Sequence, residues 1–307
     1  MMIKDILSEL ERTERELEAL SERKEGESGE EMQRLGTSRE ELLQKLQRLE
    51  PGDRVFLARH PKRPHVEDFI AALFTDFFEQ RGDHLFDEDR AVYGGIARFH
   101  GQPVTVLGTR KGRTVQENME CNFGMPRPEG YRKALRIMRQ AEKFGRPILS
   151  FIDTPGAYPG LEAEAHGQGE AIAKNLAAMS AFHVPILSLV TGEGNSGGAL
   201  GIGVSNKILM LENAVYSVLS PEGFATILWK DASLSGEAAK VMKLTAEDLL
   251  RAGVADSVIP EPVGGAQRDP EQLYRSMDRA ISEALSSFRG MSPSEIREQR
   301  FEKYRAI

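Results

Sequence analysis

The sequence predicts an α/β fold, and two observations support this prediction. From about residue 90 onward, short apolar runs alternate with glycine loops and helical patterns. Two of these strand–loop–helix units begin 38 residues apart, at Ile148 and Ile186. Strands that alternate with helices in this way favour a sheet whose functional loops lie at one end of its strands.

The first 50 residues have a different pattern, which predicts a helical hairpin. They are highly charged, and Gly26–Gly29 separates two sets of apolar residues that recur every seven positions. These residues are Ile3, Leu10 and Leu17 in the first set, and Leu35, Leu42 and Leu49 in the second. Such narrow seams are expected to pack against the core or a partner, with a solvated charged arm as the alternative. The chain is therefore predicted to divide into residues 1–50 and residues 51–307.

The later elements follow from periodicity and from turn residues. Amphipathic helices are expected from Val66 to Gln80 and from about Glu162 to Met179. Strands are expected at residues 104–107, 148–152, 186–190, 208–211, 215–218 and 253–260. Ser220-Pro221 and Ser292-Pro293 are typical of helix starts, because serine caps and proline suits the first helical position. Charged helices are expected to complete the fold from about residue 270.

Composition and charge exclude several classes of protein. The net charge is −7 and the pI about 5.6, which disfavours nucleic acid as the main partner. The single cysteine, Cys121, cannot form an internal disulfide or a multi-cysteine zinc site. No apolar run approaches the roughly 18 residues of a membrane span, and the acidic start is unlike a secretory signal. A cytoplasmic location is the expectation.

The segment from Gly192 to Gly203 is the strongest candidate for chemistry. It holds six glycines in twelve residues and directly follows a predicted strand, with a helix expected from Ala199. Such density suggests a backbone that approaches a ligand closely or adopts positive φ. Backbone N–H groups at such a turn can stabilise an oxyanion or a phosphate. Close packing between helix and strand is the alternative.

Three formal motifs overlap in this segment. Gly192-x-Gly194-x-x-Gly197 fits a dinucleotide fingerprint, but alone it is weak. Gly194-x-Ser196-x-Gly198 fits the nucleophile elbow of serine hydrolases, whose acid and histidine must follow the serine. All six histidines precede Ser196, so the hydrolase order fails. A phosphate-binding P-loop would need a lysine that this segment lacks.

Other polar groups are weaker candidates. His166 and Glu162 could form an acid–base pair, although a solvated helix face is the simpler interpretation. Lys111-Gly112-Arg113 could hold phosphate or form a basic turn. The acidic loop from Gly82 to Asp89 only loosely resembles a cation site and lacks the spacing of a calcium loop.

Several longer stretches are similar to the alpha-subunit family of acetyl-CoA carboxylase carboxyltransferases. The three main stretches are Asn122–Ala134, Phe151–Gly160 (FIDTPGAYPG) and Gly192–Gly203 (GEGNSGGALGIG). Ser220–Lys230 and Pro260–Ala266 add to the resemblance, which covers nearly the whole chain. It implies a crotonase-like fold of repeated ββα units for residues 51–307.

The resemblance also implies an activity and its partners. With a beta subunit, in an α2β2 assembly, such a chain transfers the carboxyl group of carboxybiotin to acetyl-CoA and so forms malonyl-CoA for fatty acid biosynthesis. Carboxybiotin is delivered on the biotin carboxyl carrier protein, and biotin carboxylase belongs to the full complex. Zinc is expected only in the beta subunit, and no metal or covalent cofactor in this chain.

The resemblance assigns roles to residues in two of the matched stretches. Gly197 and Gly198 are expected to direct backbone N–H groups at the ureido carbonyl of biotin, and the ureido group itself can take the methyl proton. Six further residues are expected on the carboxybiotin side: Gly156, Ala157, Tyr158, Gly194, Asn195 and Ser196. Two places depart from the family pattern: Arg110 precedes Lys111-Gly112-Arg113 where the family usually has His-x-Lys-Gly-Arg, so the usual histidine is absent, and Asn195 stands where the family usually has a glycine.

Overall fold

The structure is a computed structural model that describes residues 2–22 and 29–307. The helices in these residues are α1 Ile3–Ser21, α2 Gly29–Leu46, α3 Pro51–Ala58, α4 Val66–Leu73, α5 Val115–Glu120, α6 Pro128–Phe144, α7 Leu161–Ala165, α8 Gln168–Ala181, α9 Ser196–Leu200, α10 Pro221–Trp229, α11 Ser235–Met242, α12 Ala246–Arg251, α13 Pro270–Ser286 and α14 Pro293–Ala306. The strands are β1 Thr75–Glu79, β2 Val92–Phe99, β3 Gln102–Thr109, β4 Ile148–Thr154, β5 Ile186–Asn195, β6 Lys207–Leu211, β7 Val215–Ser217 and β8 Ser257–Ile259.

All eight strands in the described residues join one sheet, so the predicted α/β fold is confirmed. The strand order is β1-β2-β3-β4-β5-β6-β8, and β7 pairs with the end of β5. The first three strands pair antiparallel, and every pairing from β3 onward is parallel. Every residue of β4 and β5 is buried, as expected for central parallel strands covered by helices. The loops that follow β4 and β5 therefore leave the sheet at the same edge.

The predicted helix from Val66 to Gln80 is wrong in its second half. The helix ends at Leu73, and Thr75–Glu79 form the edge strand β1, which pairs with β2. Phe74 already has extended dihedral angles and packs against Phe99 and Phe151. A short apolar run satisfies helical and strand periodicity alike, so the pairing with β2 decided the outcome.

Several further boundaries differ from the prediction. The helix expected from Ala199 begins at Ser196, and the strand expected at 253–260 is confined to Ser257–Ile259. The helix expected from Glu162 to Met179 is two helices, α7 and α8, because the chain turns at Gly167, whose φ is 81°. The strand expected at 186–190 continues through the first half of the predicted glycine loop as far as Asn195. Pairing of Glu193–Asn195 with β7 extends it. The predicted helix starts at Pro221 and Pro293 are confirmed, and serine caps both.

The N-terminal residues form two helices that pack together and against α3. Their shared apolar cluster consists of Ile3, Leu7, Leu10, Leu42, Leu46 and Leu57, the last from α3. Leu17 and Leu49 are only partly buried. The predicted break at Gly26–Gly29 lies outside the described residues except for Gly29, which begins α2. A domain boundary at residue 50 stays a prediction.

No helix among residues 2–22 and 29–307 is both long enough and apolar enough to cross a membrane.

Candidate active site

The glycine-rich turn follows the end of β5, at the edge where β4 also ends. Asn195 is the last residue of β5, and the short helix α9 begins at Ser196. Ser196 has a φ of 54°, whereas neither Gly197 nor Gly198 has a positive φ. Of the two explanations for the glycine density, positive φ therefore does not apply to Gly197 and Gly198, since Ser196 takes the left-handed conformation. Ser196 is exposed, and Gly198 is buried.

Gly198 is required because two backbones meet at this residue. A Cβ atom there would overlap the carbonyl carbon of Gly156 and lie 2.5 Å from the nitrogen of Ala157. The structure thus brings together the two loops that the sequence singled out. Gly197 is different, since a Cβ there would lie 3.6 Å from the Ile172 side chain, an ordinary contact distance.

The backbone N–H groups of the turn remain outside the hydrogen bonds of α9. The first four N–H groups of a helix have no partner within it. Asn195 occupies the capping position but makes no side-chain cap hydrogen bond. The N–H groups of Gly197 and Gly198 are therefore used neither by the helix nor by its cap.

The loop after β4 packs against the turn, and two of its backbone N–H groups already make hydrogen bonds within the protein. The Gly156 N–H donates to the Thr154 hydroxyl at 3.1 Å, and the Tyr158 N–H donates to the Pro126 carbonyl at 3.0 Å. Arg127 lies over the Tyr158 ring, 5.0 Å from its centroid. The N–H groups of Gly156 and Tyr158 are thus committed to loop structure.

Gly194 and Asn195 are both buried within β5. A Cβ at Gly194 would lie 2.8 Å from the Tyr216 ring, so this glycine permits close strand packing. Asn195 is 2% exposed. Its amide nitrogen lies 3.3 Å from Glu193 Oε2, and its oxygen lies 2.9 Å from Ser217 Oγ.

A mainly apolar cavity of about 290 Å³ adjoins the turn. Its lining residues are Ser196, Gly197, Leu200, Tyr216, Ser217, Val218, Leu249 and Val254. Ser196, which is exposed, and Gly197, which is partly buried, are among them. The cavity therefore places a mainly apolar surface beside the turn.

A buried ion-pair network lies beneath the turn, and the sequence analysis missed it. Lys111 Nζ lies 2.7 Å from Asp153 Oδ1 and 2.9 Å from Glu193 Oε1, which joins the ends of β3, β4 and β5. Arg59 Nε lies 2.8 Å from the other oxygen of Glu193 and also pairs with Glu222. Burial lowers the pKa of Lys111, but the two carboxylates outweigh it and hold this pKa above its usual value. The lysine charge is thus used internally, which disfavours the phosphate interpretation.

The sequence alone could indicate only some members of this network. Lys111, Asp153 and Glu193 each stand at the carboxyl end of an apolar run, where charged residues converge in parallel sheets. Arg59 lies about 90 residues or more from both acids in sequence, and only the fold brings it close.

The other polar candidates lie in separate surroundings. His166 contacts Glu129 at 3.1 Å rather than Glu162, and Phe86 packs against its ring. Arg110 pairs with Glu67 and lies over Tyr93.

The acidic loop and Cys121 have structural roles. Asp83 accepts hydrogen bonds from three N–H groups of the acidic loop. No group of three or more His, Cys, Asp or Glu residues in the described ranges could hold a metal ion. Cys121 is buried, which raises its pKa to about 11.

Comparison with known proteins establishes the family. The family model for acetyl co-enzyme A carboxylase carboxyltransferase-like proteins matches residues 2–307. The chain belongs to this family. Relatives named acetyl-coenzyme A carboxylase carboxyl transferase subunit alpha include one from Bacillus velezensis, 55% identical over 273 residues, covering 87% of this chain and 84% of the relative. One from Desulfitobacterium hafniense is 55% identical over 272 residues and covers 89% and 84%. The predicted family is therefore confirmed.

Solved structures show the same fold at low identity. Transcarboxylase 12S superimposes with a TM-score of 0.60 at 20% identity, over 74% of this chain and 42% of that chain. The beta subunit of Pseudomonas aeruginosa geranyl-CoA carboxylase gives 0.55 at 18% identity, over 81% and 46%. A Pseudomonas malonate decarboxylase hetero-dimer gives 0.58 at 20% identity, over 70% and 88%. The carboxylase structures have the crotonase fold, so the predicted crotonase-like fold is confirmed.

Proposed function

We propose that this chain is the alpha subunit of an acetyl-CoA carboxylase carboxyltransferase. With a beta subunit it transfers the carboxyl group of carboxybiotin to acetyl-CoA and forms malonyl-CoA. The observation that supports this most strongly is the family match over residues 2–307, together with relatives of that name at 55% identity. The turn at Gly197 and Gly198 supplies the matching chemistry.

Release of carbon dioxide from carboxybiotin leaves negative charge on the ureido oxygen. Donors directed at a developing oxyanion contribute about 2.7–4 kcal/mol each in enzymes where one has been removed. The N–H groups of Gly197 and Gly198 fit this role, because α9 and its cap leave them available. The adjoining cavity of about 290 Å³ offers an apolar surface to the bicyclic ring.

No side-chain nucleophile is needed in this proposal. The ureido nitrogen becomes basic when it loses the carboxyl group, so it can take the proton of the acetyl methyl group. The enolate oxygen then needs a second set of donors, which we assign to the beta subunit. This division agrees with the sequence, in which no histidine follows Ser196.

The proposal extends to the assembly. The beta subunit, carrying the zinc, completes an α2β2 complex that receives carboxybiotin from the biotin carboxyl carrier protein, and biotin carboxylase loads that carrier in the cytoplasm. Exposed apolar side chains support a partner: Val218 lines the cavity, Ile227 and Leu228 lie on α10, and all three are more than half exposed. An exposed apolar surface of this kind is typical of protein interfaces.

Reconstitution tests the proposal directly. The purified chain alone is expected to lack carboxyltransferase activity and to gain it on mixing with a beta subunit. The measurement is malonyl-CoA formation from acetyl-CoA and carboxybiotinylated carrier protein, with the beta subunit alone as the control. Full activity of this chain by itself, or no activity of the assembled complex, would refute the proposal.

A further inference from the structure

The backbone pairing between β4 and β5 is interrupted just before both strands reach the candidate site. Ile152 pairs with Val190, and the next pair is Thr154 with Gly194. Between these pairs the chain advances two residues on β4 and four on β5. The extra residues of such an irregularity are unpaired, and the ladder is disrupted locally. Other contacts must therefore set the separation of the two strand ends.

Side chains bridge the strands within this interruption. Asp153 Oδ1 accepts a hydrogen bond from the Glu193 N–H at 3.1 Å. The same oxygen lies 2.7 Å from the Nζ atom of Lys111, which also lies 2.9 Å from Glu193 Oε1. Gly192 makes room for this arrangement, since a Cβ there would overlap the Asp153 carboxylate. Because Lys111 follows β3, one ammonium group joins the ends of three strands.

The Lys111 ammonium is held in a largely buried position. Gly124 packs on its aliphatic stem, since a Cβ at Gly124 would lie 2.8 Å from Lys111 Cγ. The Lys111 side chain is 18% exposed and that of Glu193 only 7%, and charged hydrogen bonds are strong in such dry surroundings. Arg59 holds the other oxygen of Glu193. Among the described residues, Lys111 is the only cation that pairs with Asp153.

The segments that follow the bridge carry the residues expected on the carboxybiotin side. Gly156 and Ala157 come directly after β4, and Gly198 follows β5 by three residues. These segments touch, because the backbone of Gly198 lies against the Gly156–Ala157 peptide. A change in the separation of the strand ends would misalign them. A misplacement of about 1 Å in an active site can lower the rate about a hundredfold.

We propose that Lys111 is a positioning residue, which sets the separation of the β4 and β5 ends and so aligns the two segments on the carboxybiotin side. This inference rests on the proposed function. Lys111 acts through Asp153 and Glu193, without contact to the reacting atoms. An ion pair that served stability alone would affect unfolding but leave the turnover of the folded complex unchanged.

The test uses the reconstituted complex with Lys111→Ala. At a temperature where this variant stays folded and assembled, kcat for malonyl-CoA formation should fall about tenfold to a hundredfold. The KM for acetyl-CoA should not change, because we assign the donors for that substrate to the beta subunit. Lys174→Ala is the matched control, since Lys174 is an exposed lysine on α8 that pairs only with Glu170; it should keep the wild-type kcat.

Chemical rescue separates positioning from stability. A cavity of about 220 Å³ borders Lys111 and Asp153, so a small cation can reach the place of the missing ammonium. Propylammonium replaces the atoms that Lys111→Ala removes and can donate to both carboxylates, so it should raise kcat severalfold. Tetramethylammonium at the same ionic strength has the charge but no N–H donor, so it should not restore kcat.

The inference is overturned if folded Lys111→Ala keeps the wild-type kcat, or if propylammonium raises its kcat no more than tetramethylammonium does. If Lys111→Ala does not fold, Asp153→Asn decides, because the asparagine oxygen can still accept from the Glu193 N–H. A several-fold lower kcat of the folded Asp153→Asn complex supports the positioning role, and a wild-type kcat overturns it. An inactive wild-type complex would instead refute the proposed function, so the two failures are distinguishable.

Discussion

At the scale of the residue, the two glycines expected to act alike have different surroundings. Gly198 has no room for any side chain, because the Gly156–Ala157 peptide touches its backbone. Gly197 has room for a methyl group beside Ile172. The sequence shows only glycine density, and it cannot show which glycine a second loop will approach, since that contact joins residues about 40 positions apart.

This difference gives a graded prediction. Gly198→Val should remove most turnover of the reconstituted complex, since the branched side chain displaces the loop that packs on the turn. Gly197→Ala should cost less, because the added methyl group meets Ile172 at 3.6 Å. Ser196→Ala should be mild, because the proposed donors are backbone groups and no histidine activates the hydroxyl.

The measurement is steady-state malonyl-CoA formation, with size-exclusion chromatography to confirm that each variant assembles. A serine nucleophile would instead make Ser196→Ala the most damaging change. If Ser196→Ala reduced turnover as much as Gly198→Val, the backbone oxyanion assignment would have to be abandoned.

At the scale of the element, helix starts could be predicted from neighbouring residues, whereas the pairing of strands could not. The starts of α10 and α14 follow from Ser-Pro pairs, because capping acts within four residues. The strand β1 and the extension of β5 to Asn195 depend on partner strands, β2 and β7, which lie elsewhere in sequence. The glycines at the end of β5 are typical of a loop in sequence, although pairing within the sheet keeps their backbone extended.

A buried arginine holds α14 against the rest of the fold, and hydrophobic periodicity did not predict this contact. Arg300 is 1% exposed, and its guanidinium donates to the carbonyl oxygens of Met179, Phe182 and Val184 and to the amide oxygen of Asn206. Burial lowers its pKa to about 10, so it remains charged at neutral pH. The Arg300 side chain thus donates hydrogen bonds to carbonyl groups at the end of α8 and in the loop that precedes β5.

Replacing this residue should destabilise the chain. Arg300→Met leaves several buried carbonyl groups without donors, so the free energy of unfolding should fall by about 3 kcal/mol or more. Arg305→Met on the same helix is the matched control, because Arg305 is exposed and contacts only its helix neighbours Glu302 and Phe301 among the described residues; it should change stability by less than about 0.5 kcal/mol. Urea unfolding measures both, and equal effects would contradict the proposed anchoring role.

At the scale of the whole molecule, the N-terminal hairpin is connected to the turn through α3. Leu10 and Leu42 of the hairpin pack with Leu57 of α3. Arg59, directly after α3, reaches Glu193 beneath the turn. Glu14 on α1 also pairs with Arg268 at 2.7 Å, near the start of α13. The heptad spacing predicted the seams, but it could not indicate that α3 would be the surface they cover.

Removing residues 1–50 should therefore lower both stability and activity. The deletion exposes Leu57 and the apolar face of α3 to water, at roughly 25 cal/mol per Å² of apolar surface. It also loosens the element that presents Arg59 to Glu193, so turnover of the complex should fall with the melting temperature.

Leu10→Ala is a milder change than the deletion. It is expected to lower the free energy of unfolding by about 3 kcal/mol because Leu10 is fully buried, whereas Leu17→Ala, at a partly buried position, should lower it less. Differential scanning calorimetry and size-exclusion chromatography measure the outcome. Unchanged melting temperature and assembly after the deletion would mean that the hairpin is only a solvated arm.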